Sequence, residues 1–196
     1  TDAKAQYLKY QSMAPNDPRG SRLAKSMDDI NKLKADSLRY NVVNIGDANT
    51  PGSEFSPTYY SDSMLIFPSN RGDKGKDVWQ GGAFLNLYTA AISNDTAVGD
   101  VKALDGKVNS KFHEGPVTFN KEHTVMYFTR NSFVKSKKKG SEDIMRLSVF
   151  KSTLENGNWG QVERLPFNND DYTCGHPTLS ADGKFLYFSS DMPGGY

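Results

Sequence analysis

Sulfur chemistry is nearly absent from this 196-residue sequence, whose single cysteine, Cys174, excludes an internal disulfide framework and any clustered thiolate metal site. Histidine is also scarce, at three residues, and no His-Glu-x-x-His string occurs, which removes the zinc-peptidase pattern. Neither a Gly-x-Ser-x-Gly elbow nor a phosphate-cradling glycine loop is present, so no hydrolase nucleophile or nucleotide site is signalled. Charge of one sign is not in excess. The net charge of +1 gives no electrostatic reason to expect nucleic acid or an anionic membrane as partner. No run of eighteen apolar residues exists, so nothing reads as a membrane-spanning helix, and Thr1-Asp-Ala-Lys4 lacks the apolar core of a signal peptide. The missing initiator methionine places the expected true N-terminus upstream.

What the sequence does hold is a repeat. Aromatics make up 12% of it and glycines number 17, a composition that suits short strands joined by many turns. The clearest unit is Cys174-Gly-His-Pro-Thr-Leu-Ser-Ala-Asp-Gly-Lys-Phe-Leu-Tyr-Phe-Ser-Ser190, which reads as a hairpin. Asp182 and Gly183 make its turn, because Asp bonds nearby backbone and Gly tolerates a positive φ. Two earlier copies superpose on it by their prolines. One is Glu54-Phe-Ser-Pro57 with Met64-Leu-Ile-Phe67, and the other His113-Glu114-Gly-Pro116 with Val125-Met-Tyr-Phe128. Pro57, Pro116 and Pro177 stand 59 and 61 residues apart. Further along each unit, Leu85-Asn-Leu-Tyr88 matches Leu147-Ser-Val-Phe150, and Asn109 matches Asn169, each after a short apolar strand. One period therefore holds four strands.

Read in order, residues 1–38 form a helical pair. The first helix ends at Pro15, and the second is capped by Asp17 with Pro18 in its first turn and buries a stripe of Leu23, Met27, Ile30 and Leu33. The Tyr-rich first helix followed by proline is similar to the end of a tetratricopeptide array; a plain helical extension is the other reading. Residues 39–196 are the strand-rich part. Arg39–Ile45 reads as a fourth strand closing a blade whose first three strands lie elsewhere. Full repeats run from about Glu54 to Asp105 and from about His113 to Phe167, and a third is cut at Tyr196. Four-stranded units arranged radially make a β-propeller. The expected fold is thus mainly β: a partial β-propeller of about two and a half four-stranded blades plus a closing strand, preceded by the tetratricopeptide-like pair. Apolar runs such as Phe185-Leu-Tyr-Phe188 suit strands covered on both faces. An unclosed ring leaves aggregation-prone edges, so further blades are expected after Tyr196.

The copies resemble the TolB-like propeller repeat, Pro-x-(Leu/Phe)-Ser-x-Asp-Gly followed by a Tyr-Phe-Ser-Ser strand; the period exceeds that of WD40 units and no Trp-Asp pair ends a blade. Three strings narrow the likeness: Phe84-Leu-Asn-Leu-Tyr88, His113-Glu-Gly-Pro-Val-Thr-Phe119 with Met126-Tyr-Phe-Thr-Arg-Asn131, and His176 to Tyr196. Together they look like the propeller of OmpA-family envelope proteins of Bacteroidota, including the PorE-type component of type IX secretion. The first copy departs from the pattern, because Ser61-Asp62-Ser63 lacks the Asp-Gly turn, and its hairpin should be tighter. The resemblance implies six blades and a non-enzymatic periplasmic scaffold associated with the outer membrane through a lipid anchor outside this chain. It implies outer-membrane or secretion-system proteins as partners, and peptidoglycan bound by a C-terminal domain absent here. TolB-like repeats also precede serine-peptidase domains, so a gating propeller is the alternative. A glycan-processing propeller, needing carboxylates converging on the channel, is a third.

Candidate site residues follow from the repeat. Glu54, Pro57, His113, Glu114, Pro116, His176, Pro177, Asp182 and Gly183 are repeat-motif positions, and those near the prolines are expected to line a central channel. His113 and His176, read as corresponding positions, suggest either a zinc site completed by Glu54 or Glu114, or imidazoles bonded to nearby backbone; the second reading is preferred, and no metal or cofactor is assigned. His123 is expected to be solvated in a turn. Asp170-Asp171 lacks the spaced ligands of a calcium loop and reads as a turn. Arg71-Gly72-Asp73 and the basic cluster Lys135–Lys139 read as loop sequence. Trp79 and Trp159 read as blade packing.

Overall fold

The computed structural model describes residues 2–37, 41–72, 81–94, 97–134 and 144–194. The molecule is mainly β, with ten strands in antiparallel sheets and three helices among the described residues. It divides into two compact units, residues 1–43 and 44–196. Trp79 and Lys135–Lys139 lie outside the described residues.

In the first unit, α1 (Asp2–Met13) and α2 (Pro18–Ser26) form a hairpin. Asp17 caps α2 as the sequence requires, accepting from the Arg19 N–H at 2.9 Å with Pro18 in the first turn. Its carboxylate also takes the Arg19 guanidinium and the Tyr10 hydroxyl, and these donors hold it far below the ordinary carboxylate range. Gly20 is buried where α2 crosses α1, since a Cβ there would meet Gln11 atoms at 2.8–3.0 Å. The expected single second helix is broken. The N–H groups of Met27, Asp28 and Asp29 reach back three residues instead of four, and a separate α3 (Ile30–Ser37) follows. Ser26 and the Asp pair are weak helix formers whose side chains favour local backbone bonds, and the Ser26 hydroxyl donates to the Leu23 carbonyl at 2.8 Å. The predicted apolar stripe is consequently not buried: Leu23, Ile30 and Leu33 are 40%, 41% and 60% exposed.

The expected closing strand Arg39–Ile45 needs a further correction, with residues 39 and 40 lying outside the described residues. Residues 41–45 form no strand, and Val42 is 90% exposed, because the described residues provide no third strand for them to pair with. Beyond them, β1 (Thr58–Ser61), β2 (Met64–Ser69), β3 (Asn86–Asn94) and β4 (Ala97–Ala103) pair in sequence order as one antiparallel sheet. A second sheet repeats that order with β5 (Glu114–Phe119), β6 (Val125–Val134), β7 (Ile144–Glu155) and β8 (Asn158–Arg164). The hairpin β9 (Cys174–Leu179) and β10 (Leu186–Ser190) starts a third. The sheets stack through their first strands, with β5 against β1, β2 and β3, and β9 against β5, β6 and β7.

Side-chain alternation explains the stacking. In β2, Ile66 points to the core shared with the second sheet, while Leu65 and Phe67 point to the opposite face of their own sheet. The shared core joins Ile66 and Leu87 to Val117, Met126, Phe128 and Trp159. On the opposite face, Leu65, Phe67 and Ala90 pack with Ile45 and Ala48 of the incoming segment. Strand β2 is thus buried on both sides, as its unbroken apolar run requires.

Two connecting devices recur. Gly46 and Gly106, 60 residues apart, each form a lone parallel bridge to the fourth strand of the sheet that follows, to Val98 and Trp159 respectively. Both have positive φ, and at Gly106 a Cβ would lie 2.3 Å from the Trp159 carbonyl oxygen. Asn109 clamps the third strand of the first sheet, accepting from the Leu87 N–H at 2.7 Å and donating to the Leu87 carbonyl at 2.9 Å. Its counterpart is Asn168, with the same pair of bonds to Val149 at 2.8 Å each. The sequence match to Asn169 was therefore one residue late.

Candidate functional site

The repeat-motif residues lie on or beside the first strand of each sheet, β1, β5 or β9, and register fixes which of them are equivalent. Glu54 bridges Ser69, Glu114 pairs with Arg130, and Cys174 pairs with Ser190. Farther along, Thr58 pairs with Ile66, Thr118 with Tyr127 and Thr178 with Tyr187. Glu54, Glu114 and Cys174 therefore share one position and Thr58, Thr118 and Thr178 another, each at an interval of 60. Superposing the three prolines is one residue out in the second copy: Pro116 stands where Ser56 and His176 stand, and Val117 where Pro57 and Pro177 do. His113 and His176 are accordingly not equivalent. The misleading feature is a bulge, which leaves one extra residue on β5 between Glu114 and Val117 and on β9 between Gly175 and Thr178. Ser56 and His176 have φ of 45° and 54°, a region closed to proline, so the proline of those copies is displaced to the next position.

The first strands of the three sheets, with the residues leading into β1, converge on an open groove of about 300 Å³ lined by Ser56–Thr58, Pro116–Val117 and His176–Thr178. It gathers Pro57, Pro116, His176 and Pro177. Hydrogen bonds between sheets fix its walls: the Thr58 hydroxyl donates to the Val117 carbonyl at 3.2 Å, and the Thr118 and Thr129 hydroxyls accept from the N–H groups of Leu179 and His176 at 3.2 and 2.7 Å. Asp182 and Gly183 lie at the far end of β9, in the turn. There Asp182 accepts from Ser180 and from the Lys184 N–H, and these bonds hold its carboxyl below the ordinary range.

Glu54 and Glu114 do not line this groove. Each is engaged within its own sheet in a module that the sequence reading missed. Glu114 accepts from the Ser110 hydroxyl at 2.6 Å and from Arg130 Nε at 2.8 Å. The same guanidinium donates to the Val108 carbonyl and lies over the Phe128 and Phe150 rings, 5.3 and 5.2 Å from their centroids. Glu54 accepts from the Thr50 and Ser69 hydroxyls, both at 2.7 Å, with Arg71 at 3.5 Å. Arg71 in turn reaches the Asp47 and Ala48 carbonyls and lies over Phe67 and Tyr88. The arginines come from different offsets, four residues after Phe67 and two after Phe128, so alignment alone hid them. In the third copy Cys174 replaces the carboxylate and sits beside the Ser190 hydroxyl.

The two carboxyls titrate in opposite directions. Burial pushes Glu114 up to about 7, against the pull of Ser110 and Arg130. Burial also acts to raise Glu54, but Ser69, Thr50 and Arg71 together outweigh it and leave the group below the ordinary range.

The histidines take separate structural roles. His113 Nδ1 accepts from the Leu85 N–H at 3.1 Å, its ring meets Phe84 edge-on, and its own N–H donates to Asn131. His123, expected in solvent, is half-buried between Tyr60 and Phe119 and takes a φ of 52° in the turn. Arg71 belongs to the internal module described above. Trp159 is buried in the shared core. Asp170 meets Arg164 at 3.1 Å. Among the described residues no three His, Cys, Asp or Glu side chains cluster as metal ligands, and no helix is long and apolar enough to cross a membrane.

No family model and no curated protein matches the chain. Among solved structures it is similar to a Trypanosoma rangeli sialidase in complex with the inhibitor DANA, at 15% identity and a TM-score of 0.32. The likeness covers 67% of this chain and 25% of the sialidase, so the chain spans about a quarter of that protein's length.

Proposed function

We propose that the chain is the propeller-bearing part of a non-enzymatic OmpA-family envelope scaffold, which links an outer-membrane, type IX secretion or gliding assembly to peptidoglycan from the periplasmic side. In this reading the successive sheets are blades, the inner-strand groove lies on the propeller axis, and the helical hairpin ends a tetratricopeptide-like region. Further blades and a wall-binding domain belong to chain beyond Tyr196. The supporting observation is the stacking of successive antiparallel sheets through their first strands, together with the likeness of the three repeat strings to that family. The repeated carboxylates add to it: Glu54 and Glu114 are spent on internal arginines, which leaves a glycan-processing reading without its acid pair. The work of such a protein is geometric, with rigid sheets holding loops toward a protein partner.

The test is crosslinking of the full-length native protein in intact cells, with sedimentation on purified peptidoglycan. Pelleting with the wall and crosslinks to outer-membrane secretion or gliding components are the expected result. A protein that stays in the supernatant and carries a Gly-x-Ser-x-Gly peptidase domain downstream overturns the assignment in favour of a substrate gate.

A further inference from the structure

Arginines of the second sheet form a row on the face that carries Phe128 and Phe150. The pairing of β6 with β7 runs without a shift from Val125–Thr153 to Val134–Ile144. Alternation therefore places Arg130 and Ser132 on the face of Phe128, and Ser148 and Arg146 on the face of Phe150. Arg164 joins them as the partner of Phe150 on β8. Ser148 stands opposite Arg130 and Ser132 opposite Arg146, which makes Arg146 the diagonal neighbour of Arg130, about 7–8 Å away at the backbone.

Two of these three guanidiniums hold a carboxylate. Arg130 Nε donates to Glu114 at 2.8 Å, and Arg164 reaches Asp170 at 3.1 Å and donates to the Ser148 hydroxyl at 3.3 Å. Arg146 differs. Its Nε is buried with no hydrogen-bond partner, although the residue keeps part of its surface in solvent, and among the described residues no ion pair or ring contact takes its charge. Enclosing a guanidinium nitrogen without an acceptor is unfavourable, because the N–H gives up water and gains nothing in return. The stem of Arg146 is thus held in place ahead of any partner, on a face with three arginines and two carboxylates. Burial of Glu114 favours its neutral form and enlarges the surplus of positive charge.

We propose that Arg146 is the binding position for a carboxylate that the described residues do not supply, taken by its guanidinium as Arg130 takes Glu114 and Arg164 takes Asp170. The ligand class follows from the row itself. A planar guanidinium fork matches a carboxylate, and both neighbouring arginines already hold one. Ser132, across the strand pair on the same face, would add a hydroxyl donor, the part that Ser110 plays for Glu114 at 2.6 Å. The position is internal to a sheet with four strands in place and takes nothing from the envelope assignment.

Arginine side-chain N–H resonances of nitrogen-labelled protein test it, because a buried Nε–H is shielded from exchange with water. The Arg146 peak is assigned by its loss in Arg146→Lys, and that of Arg22, exposed on α2, by its loss in Arg22→Lys. Sodium acetate replacing sodium chloride at constant ionic strength should move the Arg146 peak saturably, with half-saturation on the order of 10 mM, while Arg22 stays in place. A blocked glutamyl peptide titrated in the same way separates two sources. Half-saturation at least about fivefold below that of acetate marks an acidic side chain of a polypeptide, and an equal value marks a free carboxylate. Acetate should also raise the Tm of the wild type above its value in chloride and lose that effect in Arg146→Gln. An Arg146 peak that acetate leaves in place, or that moves only in step with Arg22, overturns the proposal, as does an equal rise of Tm in wild type and Arg146→Gln.

Discussion

A carboxylate that loses its water needs donors in exchange, and the two repeat copies supply them unequally. Glu114 has no exposed surface and is pushed up to about 7, while Glu54 retains slight exposure and gains a second hydroxyl. For Glu114 the folded value lies above the ordinary 4.5, so folding favours its proton. Its contribution is fully present below pH 4.5 and is lost as pH rises toward 7, on the order of 3 kcal/mol across that window. Glu54 works the other way, contributing above the carboxylate range and losing that contribution in acid. Urea midpoints should therefore show Glu114→Gln gaining on the wild type from pH 4 to pH 8, and Glu54→Gln losing ground over the acid part of that range. Arg130→Met should cost roughly 3–5 kcal/mol at pH 8, where it strands a buried charge, and less at pH 6, where Glu114 takes up a proton. At this scale the turn at Ser180–Gly183 was legible, since Asp and Gly carry their own backbone preferences. The arginine modules were not, because only folding brings the different offsets of Arg71 and Arg130 to the same place.

Elements owe their positions to the connections as much as to the strands. Gly106 lies against the Trp159 backbone at a separation that admits no Cβ, whereas at Gly46 the nearest atom to a built Cβ is the Val98 carbonyl oxygen at 3.6 Å. Gly46→Ala should then carry mainly the positive-φ cost, about 1–2 kcal/mol, while Gly106→Ala should cost several kcal/mol, a difference that thermal melts of the two variants resolve. Asn109→Ala and Asn168→Ala each remove a two-bond clamp on a third strand and should cost about 1–3 kcal/mol. Strand existence was readable from apolar runs and the interval between Tyr88 and Phe150, which do occupy the same position. Register was not, because a bulge at the first strand of a sheet places proline at either of two adjacent positions, so the most conspicuous residue was a poor marker of phase. The second helix failed for a similar reason: its apolar spacing was helical, but Ser26, Asp28 and Asp29 interrupted it.

Across the whole second unit, the stack behaves as a row of sheets in which each touches only its neighbours, so stability should pass along it through the junctions. The first junction is extensive, with Ile66 and Leu87 of one sheet against Val117, Met126, Phe128 and Trp159 of the next. Double-faced apolar strands made this layering legible from sequence, though which face meets which neighbour depends on register and had to be seen. Among the described residues the second junction is narrower, since only β9 and β10 of the third sheet take part in it and Tyr187 on their far face is mostly exposed. Hydrogen exchange should accordingly be slowest in β2, β3, β6 and β7 and fastest in β10, whose outer edge is unpaired among the described residues. Ile66→Ala, at the centre of the first junction, should lower protection in both four-stranded sheets together, by about 2–5 kcal/mol. Phe188→Ala, which removes the ring stacked 4.4 Å from Phe167, should release β9 and β10 while leaving β2 and β3 protected. If Phe188→Ala instead loosened every strand equally, the unit would unfold as one block and the nearest-neighbour account of its stability would fail.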